Sequence, residues 1–222
     1  MTETKPTAGV PGPHGGQPIV TAGAPRGATE AVVLALHGRG TTAQGVVNLF
    51  DPIARHGVTF VAPNAERSRW YPSATDAPRE RNEPHLTSAL AAVDAVLEHV
   101  VTAFGVPRER VVLAGFSQGA CVGAEYVAGR PARYGGLAVL GGTLLGPTVD
   151  CGRYRGSLDG TPVFVGSGTD DPHVSAERAR ATADCFGSLG ADVTERRYDG
   201  VGHAVTDDEF AAIEGLLDGL LG

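Results

Sequence analysis

Gly115-Phe116-Ser117-Gln118-Gly119 follows directly on the apolar run Val111-Val112-Leu113-Ala114, and small residues at helical spacing (Gly119, Ala120, Cys121, Gly123, Ala124) come next. Glycines two before and two after a serine permit a sharp strand-to-helix turn, because a side chain at either position would collide with neighbouring backbone. The turn lifts the serine hydroxyl out of a sheet, where a base and a reacting group can reach it. This stretch is therefore restricted to strand, tight turn and helix. With 32 glycines in 222 residues the pattern alone is weak, and its weight comes from its surroundings.

Those surroundings alternate. Apolar runs at Ala31–Leu36, Val58–Ala62, Arg110–Leu113, Leu137–Leu140 and Pro162–Val165 predict parallel strands buried on both faces. Asp192–Tyr198 alternates more and is expected near an edge, and Gln17-Pro18-Ile19-Val20-Thr21 predicts a first edge strand, where proline is tolerated. Leu86, Leu90, Val93, Leu97, Val100 and Phe104 mark one side of a helix closing at Gly105. Another helix is expected from Ser175 to Leu189. A last one opens on the capping box Thr206-Asp207-Asp208-Glu209. Strands alternating with helices specify an α/β fold with a mostly parallel, doubly wound sheet. Residues 17–222 read as a single domain, and residues 1–16, rich in Gly, Pro and Thr, as a mobile tail. The glycine-rich segment 141–160 is too short for a substantial lid, so an open site is expected.

Composition narrows the partners. A net charge of −7 argues against nucleic-acid binding, which needs a basic face. No uninterrupted apolar run of about 18 residues suggests stable membrane insertion, and no leader pattern is evident. Cys121, Cys151 and Cys185 are odd in number and widely spaced, which fits a reduced, cytoplasmic setting without a disulfide framework. Neither His-Glu-x-x-His, paired cysteines nor Gly-x-x-x-x-Gly-Lys occurs, so no metal or cofactor is expected. Cys121 and His37 read as packing and hydrogen-bonding residues.

A serine hydroxyl is a poor nucleophile at neutral pH and needs a base within hydrogen-bond reach. Tyr198-Asp199-Gly200-Val201-Gly202-His203 supplies a histidine after a late strand, on a loop that precedes the capped helix. Thr169-Asp170-Asp171-Pro172 supplies carboxylates at the end of the strand before it, and on these residues alone either aspartate could orient the imidazole. His173 lies two residues from the acid and reads as a solvated loop histidine. Nucleophile, acid, base is the chain order of the α/β-hydrolase triad. Trp70-Tyr71, on the long loop from Pro63 to Pro84, would either line an acyl-binding pocket or form a packed cluster under the loop.

Together, Leu36-His37-Gly38-Arg39-Gly40, Trp70-Tyr71-Pro72, Asn82-Glu83-Pro84, the Gly-Phe-Ser-Gln-Gly turn, Asp171-Pro172 with Val174, and Gly202-His203 make the chain resemble the small phospholipase/carboxylesterase branch of the α/β-hydrolases, which includes acyl-protein thioesterases. The likeness runs from about Leu34 to Phe210. It implies an α/β-hydrolase fold with Ser117 as nucleophile, Asp171 as acid and His203 as base. It also implies an oxyanion hole from the backbone N–H groups of Arg39 and Gln118, and a small-molecule ester as substrate, with a homodimer left open. Ser167-Gly168 and Ser175 depart from the His-Gly and proline that many relatives carry there.

Overall fold

The computed structural model describes residues 5–221. Seven strands form one sheet: β1 (Ile19–Gly23), β2 (Ala31–Leu36), β3 (Val58–Pro63), β4 (Val111–Phe116), β5 (Gly136–Leu140), β6 (Pro162–Gly168) and β7 (Asp192–Tyr198). Their spatial order is β1-β3-β2-β4-β5-β6-β7, with β1 antiparallel to β3 and every other pair parallel. All six residues of β2 are fully buried because both faces of the strand are covered. Val32, Leu34 and Leu36 join the core under α2 (His85–His99), α3 (Gln118–Gly129) and α4 (Ala176–Ser188). Val33 and Ala35 join the core under α1 (Ala43–Leu49) and α5 (Asp207–Leu221). A residue period of two thus feeds two cores, which is why the strand reads as one unbroken apolar run. β7, at the edge, keeps the alternation that its sequence shows.

The chain leaves β2 toward one side of the sheet and returns through β4 on the other. The carboxyl ends of these two strands therefore border the point where the winding reverses, the crevice in which such sheets bind ligands.

The helix expected to close at Gly105 does so, with Gly105 left-handed at φ 69°, but its last turn, Val100–Phe104, is widened. His85–Phe104 has a mean hydropathy of 1.4 and is long and apolar enough to cross a bilayer by composition. Here Leu86, Val93, Val96 and Val100 of that stretch are fully buried in the core.

The expected mobile tail, residues 1–16, is corrected for its described part, residues 5–16. Residues 1–4 lie outside the described part, and residues 5–16 fold against α2. Thr7 and His14 are fully buried. The Ser88 hydroxyl accepts from the His14 N–H at 3.0 Å and donates to the Pro11 carbonyl at 2.7 Å. Composition suggested mobility, but a buried histidine and a serine on α2 satisfy this backbone without regular structure.

Candidate active site

The turn after β4 has the strain its spacing predicts. Ser117 sits at φ 57°, ψ −122°, a region that non-glycine residues rarely occupy. A Cβ on Gly119 would stand 2.1 Å from the Leu36 carbonyl oxygen, and one on Gly115 would stand 2.6 Å from the Ala120 nitrogen. Only glycine lets β2, β4 and the start of α3 come so close.

The loops after β6 and β7 meet beside this turn. The Asp171 side chain is buried, 1% exposed. Its Oδ1 accepts from the N–H groups of His173 and Val174 at 2.8 and 3.2 Å, and its Oδ2 meets His203 Nδ1 at 2.6 Å. Asp170 is exposed and engages Thr169 instead. The β7–α5 loop passes so close to β6 that a Cβ on Gly168 would stand 2.0 Å from the Val201 carbonyl oxygen. The capping box then fixes the far end of the loop: the Thr206 N–H donates to Glu209 Oε2 at 2.7 Å and the Glu209 N–H to Thr206 Oγ1 at 3.3 Å.

Ser117 and His203 line one cavity of about 730 Å³. No hydrogen bond joins Ser117 Oγ to His203 among the described residues; contacts of this kind often tighten only when substrate binds. Phe116 stacks beside the imidazole at 4.8 Å between ring centroids. His173, exposed on its loop as expected of a solvated residue, packs edge-on against it, also at 4.8 Å, and lines the cavity.

The N–H of Gln118, in the first turn of α3, and that of Arg39, in the β2–α1 loop, donate to no protein group among the described residues. Both residues line the cavity. The Gln118 side chain ties down the facing loop, where Oε1 accepts from the Trp70 N–H at 2.9 Å and Nε2 donates to the Tyr71 carbonyl at 2.8 Å. The Arg39 guanidinium donates to the carbonyls of Tyr71, Pro72 and Ser73.

These bonds decide the two readings of Trp70-Tyr71. Trp70 does not reach the cavity: it is fully buried between His14 and His37, with Nε1–H donating to the His37 carbonyl at 2.8 Å. Its indole N–H finds a partner only underneath the loop, so the expectation that it lines an acyl pocket is withdrawn. Tyr71 is buried and still forms cavity wall, its hydroxyl bonded to Thr75. Burial pushes the phenol well above its usual range, so it stays neutral.

Segment 141–160 builds wall rather than cap. Glu125 of α3, fully buried, accepts from the Leu145 N–H at 2.7 Å and the Tyr154 hydroxyl at 3.0 Å, and pairs with Arg79 of the facing loop. Cys121 is buried, as expected of a packing residue, and its sulfur accepts from the Thr143 N–H.

Two buried histidines hold the loop under Trp70, and both are needed neutral. His14 Nε2–H donates to the Trp70 carbonyl while Nδ1 accepts from the Glu66 N–H. His37 Nδ1–H donates to the Gly38 carbonyl while Nε2 accepts from the Ala65 N–H. Burial lowers both pKa values from 6.5. Below that value the unfolded chain takes up protons that the folded protein refuses, so stability drops as pH drops. Urea midpoints should be level from about pH 8 to 7 and drop from about pH 6.5 to 5.5, with a smaller drop in His14→Gln. A flat profile would exclude this role. Glu209, whose carboxyl burial raises, opposes the trend at lower pH.

The family model of the phospholipase/carboxylesterases matches residues 18–220. The chain belongs to the phospholipase/carboxylesterase family. Its members are α/β-hydrolases that cleave carboxylic esters, and this chain is one of those enzymes. A crystal structure of a phospholipase/carboxylesterase from Dyadobacter fermentans is 35% identical, superposes with a TM-score of 0.84, and covers 90% of this chain and 96% of its own. Acyl-protein thioesterase 1 of Candida albicans is 25% identical over 211 residues, which is 83% of this chain and 89% of that protein. The Bacillus cereus carboxylesterase, at 19% identity and a TM-score of 0.74, shares the fold.

The sequence alone pointed to no role for the Gln118 side chain or for Arg178, both of which line the cavity. Only Arg178 carried a signal, a cation in the first turn of a helix, where the dipole disfavours it.

Proposed function

We propose that this family member hydrolyses short to medium acyl esters with Ser117 as nucleophile, His203 as general base and acid, and Asp171 as the group that orients it. The 2.6 Å contact between Asp171 and His203 Nδ1, beside a cavity that both His203 and Ser117 enter, carries the reading. It supports the tautomer with the proton on Nδ1, which leaves Nε2 free to take the Ser117 proton.

Ser117 Oγ adds to the ester carbonyl carbon as Nε2 receives its proton. The oxygen gains charge and turns to the N–H groups of Arg39 and Gln118, each contributing roughly 3–4 kcal/mol to the transition state. The adduct collapses, the C–O bond to the alcohol breaks, and His203 returns the proton to the leaving oxygen. Water then attacks the acyl-enzyme with His203 again as base, releasing the acid and restoring Ser117.

The substrate is a small molecule, since the cavity is a pocket beside the sheet and the chain's net charge disfavours nucleic acid. We place the enzyme in the cytoplasm on the support of three cysteines that are all free. The acyl-chain preference is supported by a cavity of about 730 Å³ with no cap above it among the described residues. With p-nitrophenyl esters, kcat/KM should peak below about twelve acyl carbons and fall beyond. A steady rise past that length would reject the preference. Acyl-thioester cleavage by the same groups is the second reading, favoured by the name of the Candida albicans relative, and lysophospholipid cleavage would need no other groups. Comparing kcat/KM on an ester, an acyl-thioester and a lysophospholipid ranks the three.

A further inference from the structure

The chain carries a net charge of −7, yet its cavity wall holds two arginines, Arg39 and Arg178, against one aspartate, Asp76. Neither arginine pairs with a carboxylate among the described residues. Their partners are neutral carbonyls. Arg178 donates through Nη2 to Leu144 at 2.8 Å and through Nη1 to Pro147 at 3.3 Å. A guanidinium has five N–H donors, so three on Arg178 remain uncommitted. Arg39, with three donors spent on Tyr71, Pro72 and Ser73, keeps two.

Arg178 also stands where local preference opposes it. It is the third residue of α4, behind the Ser175 cap, at the positive end of the helix dipole. A cation kept there, half-buried and unneutralised, adds to the potential of the cavity instead of cancelling it. The positive wall is fixed before a ligand arrives, because main-chain carbonyls hold both side chains.

We propose that Arg178 is a specificity-determining residue that binds an ionised carboxylate or phosphate group of the substrate away from the scissile carbonyl, so that the enzyme prefers anionic esters to neutral ones of equal size. The planar fork of a guanidinium matches either group in a bidentate pair. The proposal rests on the esterase reading and adds the chemical class of substrate to it.

The test compares charged and neutral esters built on the same acyl or alcohol framework. Mono-p-nitrophenyl glutarate against p-nitrophenyl valerate places the charge on the acyl side, and 4-acetoxybenzoate against its methyl ester places it on the alcohol side. The charged member of one pair should be preferred by about tenfold in kcat/KM at low salt, and the preference should shrink as salt rises. Arg178→Gln should reduce that ratio by about tenfold, Arg178→Lys should retain part of it, and Arg178→Glu should turn it to favour the neutral ester. The ratio within each variant is the readout, because a merely structural loss of the Leu144 and Pro147 contacts would lower both rates together. An acyl chain ending in a phosphonate separates the two anions: equal gain means either group is accepted, gain with glutarate alone means carboxylate. No preference for the charged member of either pair, with valerate still turned over, would overturn the proposal and leave the esterase reading standing. Turnover of no ester, with Ser117 inert to a fluorophosphonate, would remove both. The wild-type ratios need no variant, so a misfolded Arg178 mutant does not block the decision.

Discussion

Ser117→Ala should lower kcat by about 10⁴–10⁶ and leave the thermal transition within a few degrees of wild type. The size follows from the proposed mechanism: without Oγ there would be no acyl-enzyme, and His203 and the two N–H donors would have no attacking atom to assist. What remains is the residual acceleration of water attack at a cavity that still presents Arg39 and Gln118 N–H groups. The fold should tolerate the change. Alanine keeps the Cβ, so the strained φ of 57° is neither relieved nor worsened, and the Ser117 side chain caps nothing in α3. A fluorophosphonate should label the wild type at Ser117 and leave the variant unlabelled. Activity within tenfold of wild type in a variant shown by sequencing to lack the serine would sink the mechanism.

Gly119→Ala should be the more destructive substitution, although it touches no reacting atom. Its Cβ would lie 2.1 Å from the Leu36 oxygen, 2.4 Å from the Leu36 carbon and 2.6 Å from the His37 oxygen. These are backbone atoms of a fully buried strand and the residue after it, so no rotamer change relieves the clash. Either β2 moves away from α3 or the turn opens, and both displace Ser117 and the Arg39 loop together. A loss of about 4 kcal/mol or more is expected, which at this chain length corresponds to roughly 8–16 °C in Tm. Calorimetry reads it directly. A variant melting within about 3 °C of wild type would show that the contact is softer than the geometry says.

The sequence made the layered sheet legible because burial on both faces writes an unbroken apolar run, and β2 to β6 all carry one. It located Ser117 because the glycine spacing answers a steric demand that few other structures make. Asp171 could not be separated from Asp170 by residue type, since the difference between them is burial and direction, and both are set by the turn through Pro172 and His173. Trp70 misled for a related reason: an aromatic on a long loop says nothing about which side of the loop it faces. That choice came from His14, His37 and Gln118, three residues distant in sequence. Residues 5–16 looked mobile because their order depends on Ser88 and on the Trp70 loop, contacts that no local pattern encodes. The Gln118 side chain was invisible as a clamp because its partners are main-chain atoms with no residue identity to read.

That clamp has a consequence for anyone altering this enzyme. A single residue contributes its peptide nitrogen to one wall of the cavity and ties down the opposite wall with its amide, so a side-chain substitution at position 118 keeps the N–H donor while releasing the facing loop. Libraries aimed at new acyl groups are better directed to the rim residues Thr75 and Asp76, leaving the Trp70–Tyr71 backbone and its amide tether intact.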